Sequence, residues 1–159
     1  MKGFTLLETL VTVLIFTFIM AGMYGVLNIA KTNYDTNLVS LNLQRQARQG
    51  MSWLSREIRQ ASWDSIHDKD TERNSITFDR PDVNGGTVYN VTYSLVSGQL
   101  WRNYPTGQVI ANNITGLTFS QIVGNVQKII LEASKTFRSL GKDRPLTFSL
   151  TEQVQVRNP

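Results

Sequence analysis

The sequence predicts an α+β chain in which a long N-terminal helix, membrane-spanning in its first half, packs its second half against a C-terminal antiparallel sheet. Three observations predict it. Thr9 to Ala30 is a run of 22 residues without a charge. Residues 31–63 continue without a proline and repeat apolar or long side chains every three or four places. From Ser75 onward the period changes to two, the spacing of half-buried strands.

The uncharged run covers about 33 Å as a helix, enough to cross the hydrocarbon of a bilayer. A cleaved secretory signal would have a shorter apolar region and an Ala-x-Ala site behind it, and neither is present. A buried core helix would need a domain around all its faces, and the strand-like remainder is too small for that. Residues 4–30 therefore read as a retained apolar helix.

In residues 31–63 the recurring positions are Tyr34, Leu38, Leu41, Arg45, Arg48, Met51, Leu54, Ile58 and Ala61. Asn37, Gln44, Gln46, Gln49 and Ser52 occupy the other face. The two halves read as one helix of about sixty residues, about 90 Å long, apolar all round at first and one-sided afterwards, with Gly50 as a weak point.

Residues 64–159 form the second region. A polar connector, Asp64 to Ser75, leads to a short strand Ser75–Phe78 closed by Arg80-Pro81, and Asn84-Gly85-Gly86 supplies a turn. Tyr89, Val91, Tyr93 and Leu95 alternate with polar residues, Ser97-Gly98 turns the chain into Gln99–Arg102, and Val109–Ala111, Leu117–Phe119 and Val126–Leu131 follow. Lys135 to Arg144 reads as a basic, flexible link before a last strand through Leu146, Phe148, Leu150, Val154 and Val156. One sheet with one polar face cannot close a core alone, and the stripe from Leu38 to Ala61 is its complement.

Composition excludes several chemistries. The 159 residues include no cysteine and one histidine, His67, so disulfides, thiolates and His pairs for a metal are absent. His67 has no serine elbow or paired acid at a fixed spacing and reads as a connector residue. No enzymatic activity, metal or cofactor is expected. A net charge of +4 and a pI near 9.6 favour weak attraction to phosphates or anionic lipid.

The chemically odd residue is Glu8. It stands at the head of a segment that belongs in hydrocarbon, where an ionised acid costs a few kcal/mol, so it needs a partner. Met1-Lys2-Gly3-Phe4-Thr5-Leu6-Leu7-Glu8 followed by the apolar run resembles the class III signal of type IV pilins and type II secretion pseudopilins. The resemblance implies a pilin fold and a leader of residues 1–3. It implies cleavage between Gly3 and Phe4 by a membrane prepilin peptidase, and N-methylation of Phe4. It also implies that Glu8 meets the freed Phe4 amine of a neighbouring subunit as helices stack in a filament. Lys2 helps keep the N-terminus cytoplasmic. The implied location is the bacterial inner membrane, single-pass, and then a periplasmic or extracellular filament.

Beyond the N-terminus, Ser97 to Arg102 and Val154 to Asn158 are similar to minor pseudopilins of the J type and their W-type pilus counterparts. The first proline is Pro81 and no disulfide can close a C-terminal loop, both of which depart from many major pilins. The expectation is a minor subunit that primes or caps a pilus or secretion pseudopilus, with other pilins as partners.

Two sharper patterns are weighed against this. Asp68, Asp70, Glu72 and Asp79 have a calcium-loop-like spacing, but Arg73 stands where the loop needs glycine, so the segment reads as a solvated acidic connector. Arg45, Arg48, Arg56, Arg59, Lys128, Lys135, Arg138, Lys142 and Arg144 offer a phosphate-binding face, with Trp53, Trp63 and Trp101 for stacking. The tryptophans are expected inside and the arginines in solvent or paired with neighbouring acids, with nucleic-acid binding in DNA uptake as the alternative. Asn90-Val91-Thr92 and Asn113-Ile114-Thr115 match a glycosylation pattern inside strand-like sequence and carry no functional reading.

Overall fold

The structure, a computed structural model, describes residues 5–66, 74–81, 86–104, 106–139 and 142–157. It has two compact units, residues 1–38 and 39–159. Helix α1 (Leu6–Gln60) supplies the first unit and the start of the second.

In the first unit the helix is exposed on all sides, with Phe18 and Leu7 each 72% accessible. Threonines are tolerated in so apolar a stretch because their hydroxyls donate to their own helix. Thr9, Thr12 and Thr17 donate to the carbonyls of Leu6, Glu8 and Val13 at 2.9, 2.7 and 2.8 Å. These three hydroxyl donors are therefore not stranded in hydrocarbon.

In the second unit the buried helical positions are Leu43, Ala47, Gly50, Met51, Leu54, Ser55, Glu57 and Ile58. Steps of three and four put them on one face. This corrects the expected stripe at its N-terminal end, where Tyr34, Leu38, Leu41, Arg45 and Arg48 are exposed. The residues that meet the sheets are Leu43 and Ala47, one to two places away. The helix ends at Gln60 rather than 63, because Ser62 forms a bridge with Arg157 and Trp63–Ser65 tightens into a 3₁₀ turn. Ser65 Oγ accepts from the Asp79 N–H at 2.9 Å and donates to the Ser62 carbonyl at 2.7 Å, fixing the exit.

Among the described residues seven strands follow: β1 (Ser75–Pro81), β2 (Thr87–Val96), β3 (Gln99–Arg102), β4 (Gln108–Asn112), β5 (Ile114–Gln121), β6 (Val126–Ser139) and β7 (Lys142–Gln155). All pair antiparallel, in two sheets rather than the one expected: β1-β2-β3-β4 and β5-β6-β7. The division falls at Asn113, whose φ of 59° bends the chain between β4 and β5. Asparagine tolerates this left-handed region better than most residues. Asn90 at φ 52° does the same beside the bulge in β2, so both asparagines of the apparent glycosylation pattern have a backbone reason to be there. The Ile114 N–H reaches back to the Gly98 carbonyl at 3.0 Å and the Ser134 N–H to that of Asn113 at 2.9 Å, stitching the sheets at this corner.

Of the basic link expected at Lys135–Arg144, residues 135–139 and 142–144 are instead strand, and Leu140 and Gly141 lie outside the described residues. Residues Val126 to Ser139 pair with Gln155 to Lys142 without interruption. Alternation at Lys135, Phe137, Arg144 and Leu146 is hidden in sequence by charge and by Pro145, which an edge strand tolerates. Of the expected turns, Ser97-Gly98 is present with φ of 49° and 75°, the pairing of a type I′ hairpin. Asn84 and Gly85 lie outside the described residues.

Helix and sheets enclose one core. Leu54, Ile58, Phe78, Val91, Leu100, Ile114, Phe119, Ile129 and Leu131 are all fully buried. Gly50 is the point of closest approach. A Cβ there would lie 3.1 Å from Leu100 Cδ2, 3.3 Å from Ala111 Cβ and 3.3 Å from Leu131 Cδ1. The expected weak point is therefore a packing position. We expect Gly50→Ala to be near neutral, since about 1 kcal/mol of helix propensity offsets the crowding, whereas Gly50→Val should destabilise by about 1–3 kcal/mol. Urea unfolding of the full chain in detergent measures both, and a Val variant as stable as wild type would refute the tight approach.

Candidate functional site

The expected processing residues Gly3 and Phe4 lie outside the described residues. Glu8, the third candidate, is in the first turn of α1 and exposed. Its backbone N–H faces Thr5 Oγ1 at 3.4 Å and the Thr5 carbonyl at 3.0 Å, in the Thr-x-x-Glu spacing of a helix start. An acid here is also favoured by the positive end of the helix dipole. Its carboxylate makes no hydrogen bond or ion pair among the described residues. Local structure thus uses the backbone of Glu8 and leaves its charge free, above a helix long and apolar enough to cross a membrane.

The second concentration of charge is one that sequence reasoning missed. Glu57, 5% exposed, receives the Arg102 guanidinium through two bonds, Nε to Oε2 at 2.9 Å and Nη2 to Oε1 at 2.7 Å. The Tyr93 hydroxyl donates to Oε2 at 2.7 Å, and Arg80 Nε lies 3.8 Å from Oε1. Three residues, from β1, β2 and β3, thus share one carboxylate from α1. Burial pulls the Arg102 guanidinium down, but the hydrogen bond and charge of Glu57 outweigh it and the net shift is upward. Burial first, then the charge of Glu57 and the bond to it, hold the Tyr93 hydroxyl well above its ordinary range. Glu57, Tyr93 and Arg102 are all buried, and the cluster ties α1 to β1, β2 and β3.

Because Tyr93 ionises later in the folded chain than in the unfolded one, the stability tied to its neutral form is complete below about pH 10 and falls as pH rises beyond it. We expect thermal stability to drop above pH 10 and the drop to be shallower in Tyr93→Phe. Identical alkaline slopes for the two proteins would refute this assignment.

The other sequence candidates are dispersed. Asp68, Asp70, Glu72 and His67 lie outside the described residues, while Asp79 is a β1 residue whose Oδ1 accepts the Asn90 N–H at 2.8 Å. Arg59 is paired with Glu152 at 3.0 Å, and Arg45, Arg48 and Arg56 are exposed. Trp63 and Trp101 are half-buried, but Trp53, expected inside, is 37% exposed because it lies outside the buried row of α1.

Comparison with known families matches residues 1–24 to the prokaryotic N-terminal methylation motif. Comparisons with curated proteins and with solved structures return no match. The motif, the apolar helix behind it and the helix-on-sheet architecture together support a type IV pilin or pseudopilin precursor, and the N-terminal helix suits anchoring in the inner membrane.

Proposed function

We propose that this chain is a minor pilin or pseudopilin that primes or caps a filament after prepilin peptidase removes residues 1–3. The observation that carries the reading is the uncommitted Glu8 carboxylate at the head of an all-round apolar helix. In lipid that charge is costly, and in a stack of such helices it meets the Phe4 amine of a neighbour, which sets the axial step. Assembly then trades lipid contacts for helix-helix contacts.

The minor role is supported by charge. Residues 31–159 contain 15 Lys plus Arg against 11 Asp plus Glu. Self-stacking of such a surface is mildly repulsive, and pairing with more acidic relatives is favourable. Co-expression with a prepilin peptidase, followed by intact mass measurement, is expected to show loss of Met1-Lys2-Gly3 and a methylated Phe4. An unprocessed chain in the membrane fraction would point to a simple membrane-anchored module instead. Mass spectrometry of sheared filaments is expected to find this chain at low copy among other pilins, and dominance in the fibre would overturn the minor assignment alone.

A further inference from the structure

Strands β6 and β7 outrun their sheet. β5 pairs with β6 only as far as Ala133, whereas the β6-β7 ladder runs on through Lys135-Leu146, Phe137-Arg144, Arg138-Asp143 and Ser139-Lys142. Beyond Ser134 the element is a two-stranded ribbon among the described residues. Opposed residues share a face and neighbours alternate, so the register sorts its charges. Lys135, Arg144 and Lys142 lie on the same face as the core residues Leu131, Ala133 and Phe148, with half-buried Phe137 and Leu146 between them. Arg138 lies on the opposite face, directly across from Asp143. Among the described residues of the ribbon, one face therefore carries three exposed cations and no acid. Its nearest described acid in β7, Glu152, is far along the strand and bound to Arg59.

The ribbon also has a direction. Arg157, just past β7, forms a parallel bridge with Ser62, Glu152 meets Arg59, and Leu150, Thr151 and Glu152 line a groove with Arg48, Met51, Ser52 and Ser55. Decreasing numbers along β7 thus follow decreasing numbers along α1. Lys142 and Arg144 are consequently carried toward the end of this unit at which α1 enters it.

We propose that the Lys135-Lys142-Arg144 face docks on anionic phospholipid headgroups of the membrane in which the apolar helix is anchored. The proposal rests on that anchoring. Basic side chains close to an anionic leaflet gain attraction additively and lose it within a Debye length, and Phe137 and Leu146 supply an amphipathic surface suited to the interface. The contact holds the subunit against the bilayer before assembly and is surrendered on extraction.

The test uses the full chain in nanodiscs of phosphatidylcholine alone or with phosphatidylglycerol, reading acylation rates of individual lysines. Lys135 and Lys142 should react at least about 5-fold more slowly in the anionic discs. Lys128, on the other face of β6, should not change, and high salt or Arg144→Glu should restore the rate. Equal rates in the two compositions, or equal slowing in both, overturn the proposal. Slowing by added duplex DNA on phosphatidylcholine discs, without slowing by phosphatidylglycerol, replaces it with a nucleic-acid face. A chain that does not co-migrate with either disc removes the anchoring itself, and the lipid contact falls with it.

Discussion

Replacing Glu57 with alanine is expected to cost about 3–5 kcal/mol, the largest stability effect of any single polar substitution in the second unit. The carboxylate is the common acceptor of Arg102 and Tyr93 and lies 3.8 Å from Arg80, and Arg102 is itself 3% exposed. Without it a guanidinium is left in a dry site with no counter-charge, and the Tyr93 hydroxyl loses its acceptor. The penalty comes from the stranded partners rather than from the intrinsic worth of the pair. The double substitution Glu57→Leu with Arg102→Met should therefore recover much of the loss, since replacing both ends of a buried pair with apolar groups is often near neutral. Urea unfolding of the full chain in detergent separates these outcomes. A Glu57→Ala loss under about 1 kcal/mol, or a double variant no better than the single, would mean that the cluster is hydrated and does not lock helix to sheet.

Glu57 is hidden in sequence by its surroundings. Its neighbours Arg56, Arg59 and Gln60 make the segment look solvated. Yet Gly50, Leu54, Glu57 and Ala61 follow one another by four, three and four, so the acid falls on the buried row, and that was a legible signal. The same row explains the misplaced stripe. Arg45 and Arg48 have long stems at helical spacing, which in sequence shifts the apparent face away from Leu43 and Ala47, and a stem that snorkels cannot be told from one that is buried without the partner surface.

Other elements were legible because local pattern and tertiary demand agree. The alternation Val91, Tyr93, Leu95 and the turn Ser97-Gly98 belong to this class, as does the uncharged run. The ribbon was not, because in Lys135–Arg144 charge overrides the appearance of a period of two, and pairing over fourteen residues is a property of the partner strand. Splitting into two sheets depends on one left-handed residue, Asn113, whose meaning appears only when the strands on either side are known to diverge. In the functional segment the balance reverses. The order Gly3-Phe4 followed by Glu8 is written in sequence, while the fold adds only that the Glu8 carboxylate is free.

Replacing Glu8 with leucine is expected to leave cleavage after Gly3 intact and to cut incorporation into filaments by about 10-fold or more. Leucine keeps the helix and makes it more at home in lipid, so supply of processed subunit in the membrane should not fall. Loss of the favourable dipole at the first turn is worth only about 0.3–1 kcal/mol and leaves a helix this long intact. What disappears is the difference between the two environments of the charge. An unpaired carboxylate near hydrocarbon costs a few kcal/mol and a paired one recovers it, and each 1.4 kcal/mol of that difference is a factor of ten in the assembly equilibrium. Glu8→Gln discriminates the mechanism further. It keeps the size and hydrogen bonding of the side chain but not the charge, so it should resemble leucine if a Phe4 amine is the partner and wild type if the contact is a neutral hydrogen bond. The measurement is the ratio of processed chain in sheared filaments to that in the membrane fraction, for the two variants and wild type side by side. A processed Glu8→Leu chain that enters filaments at the wild-type ratio would show that the carboxylate sets no register, and the helix would then have to be positioned by packing alone.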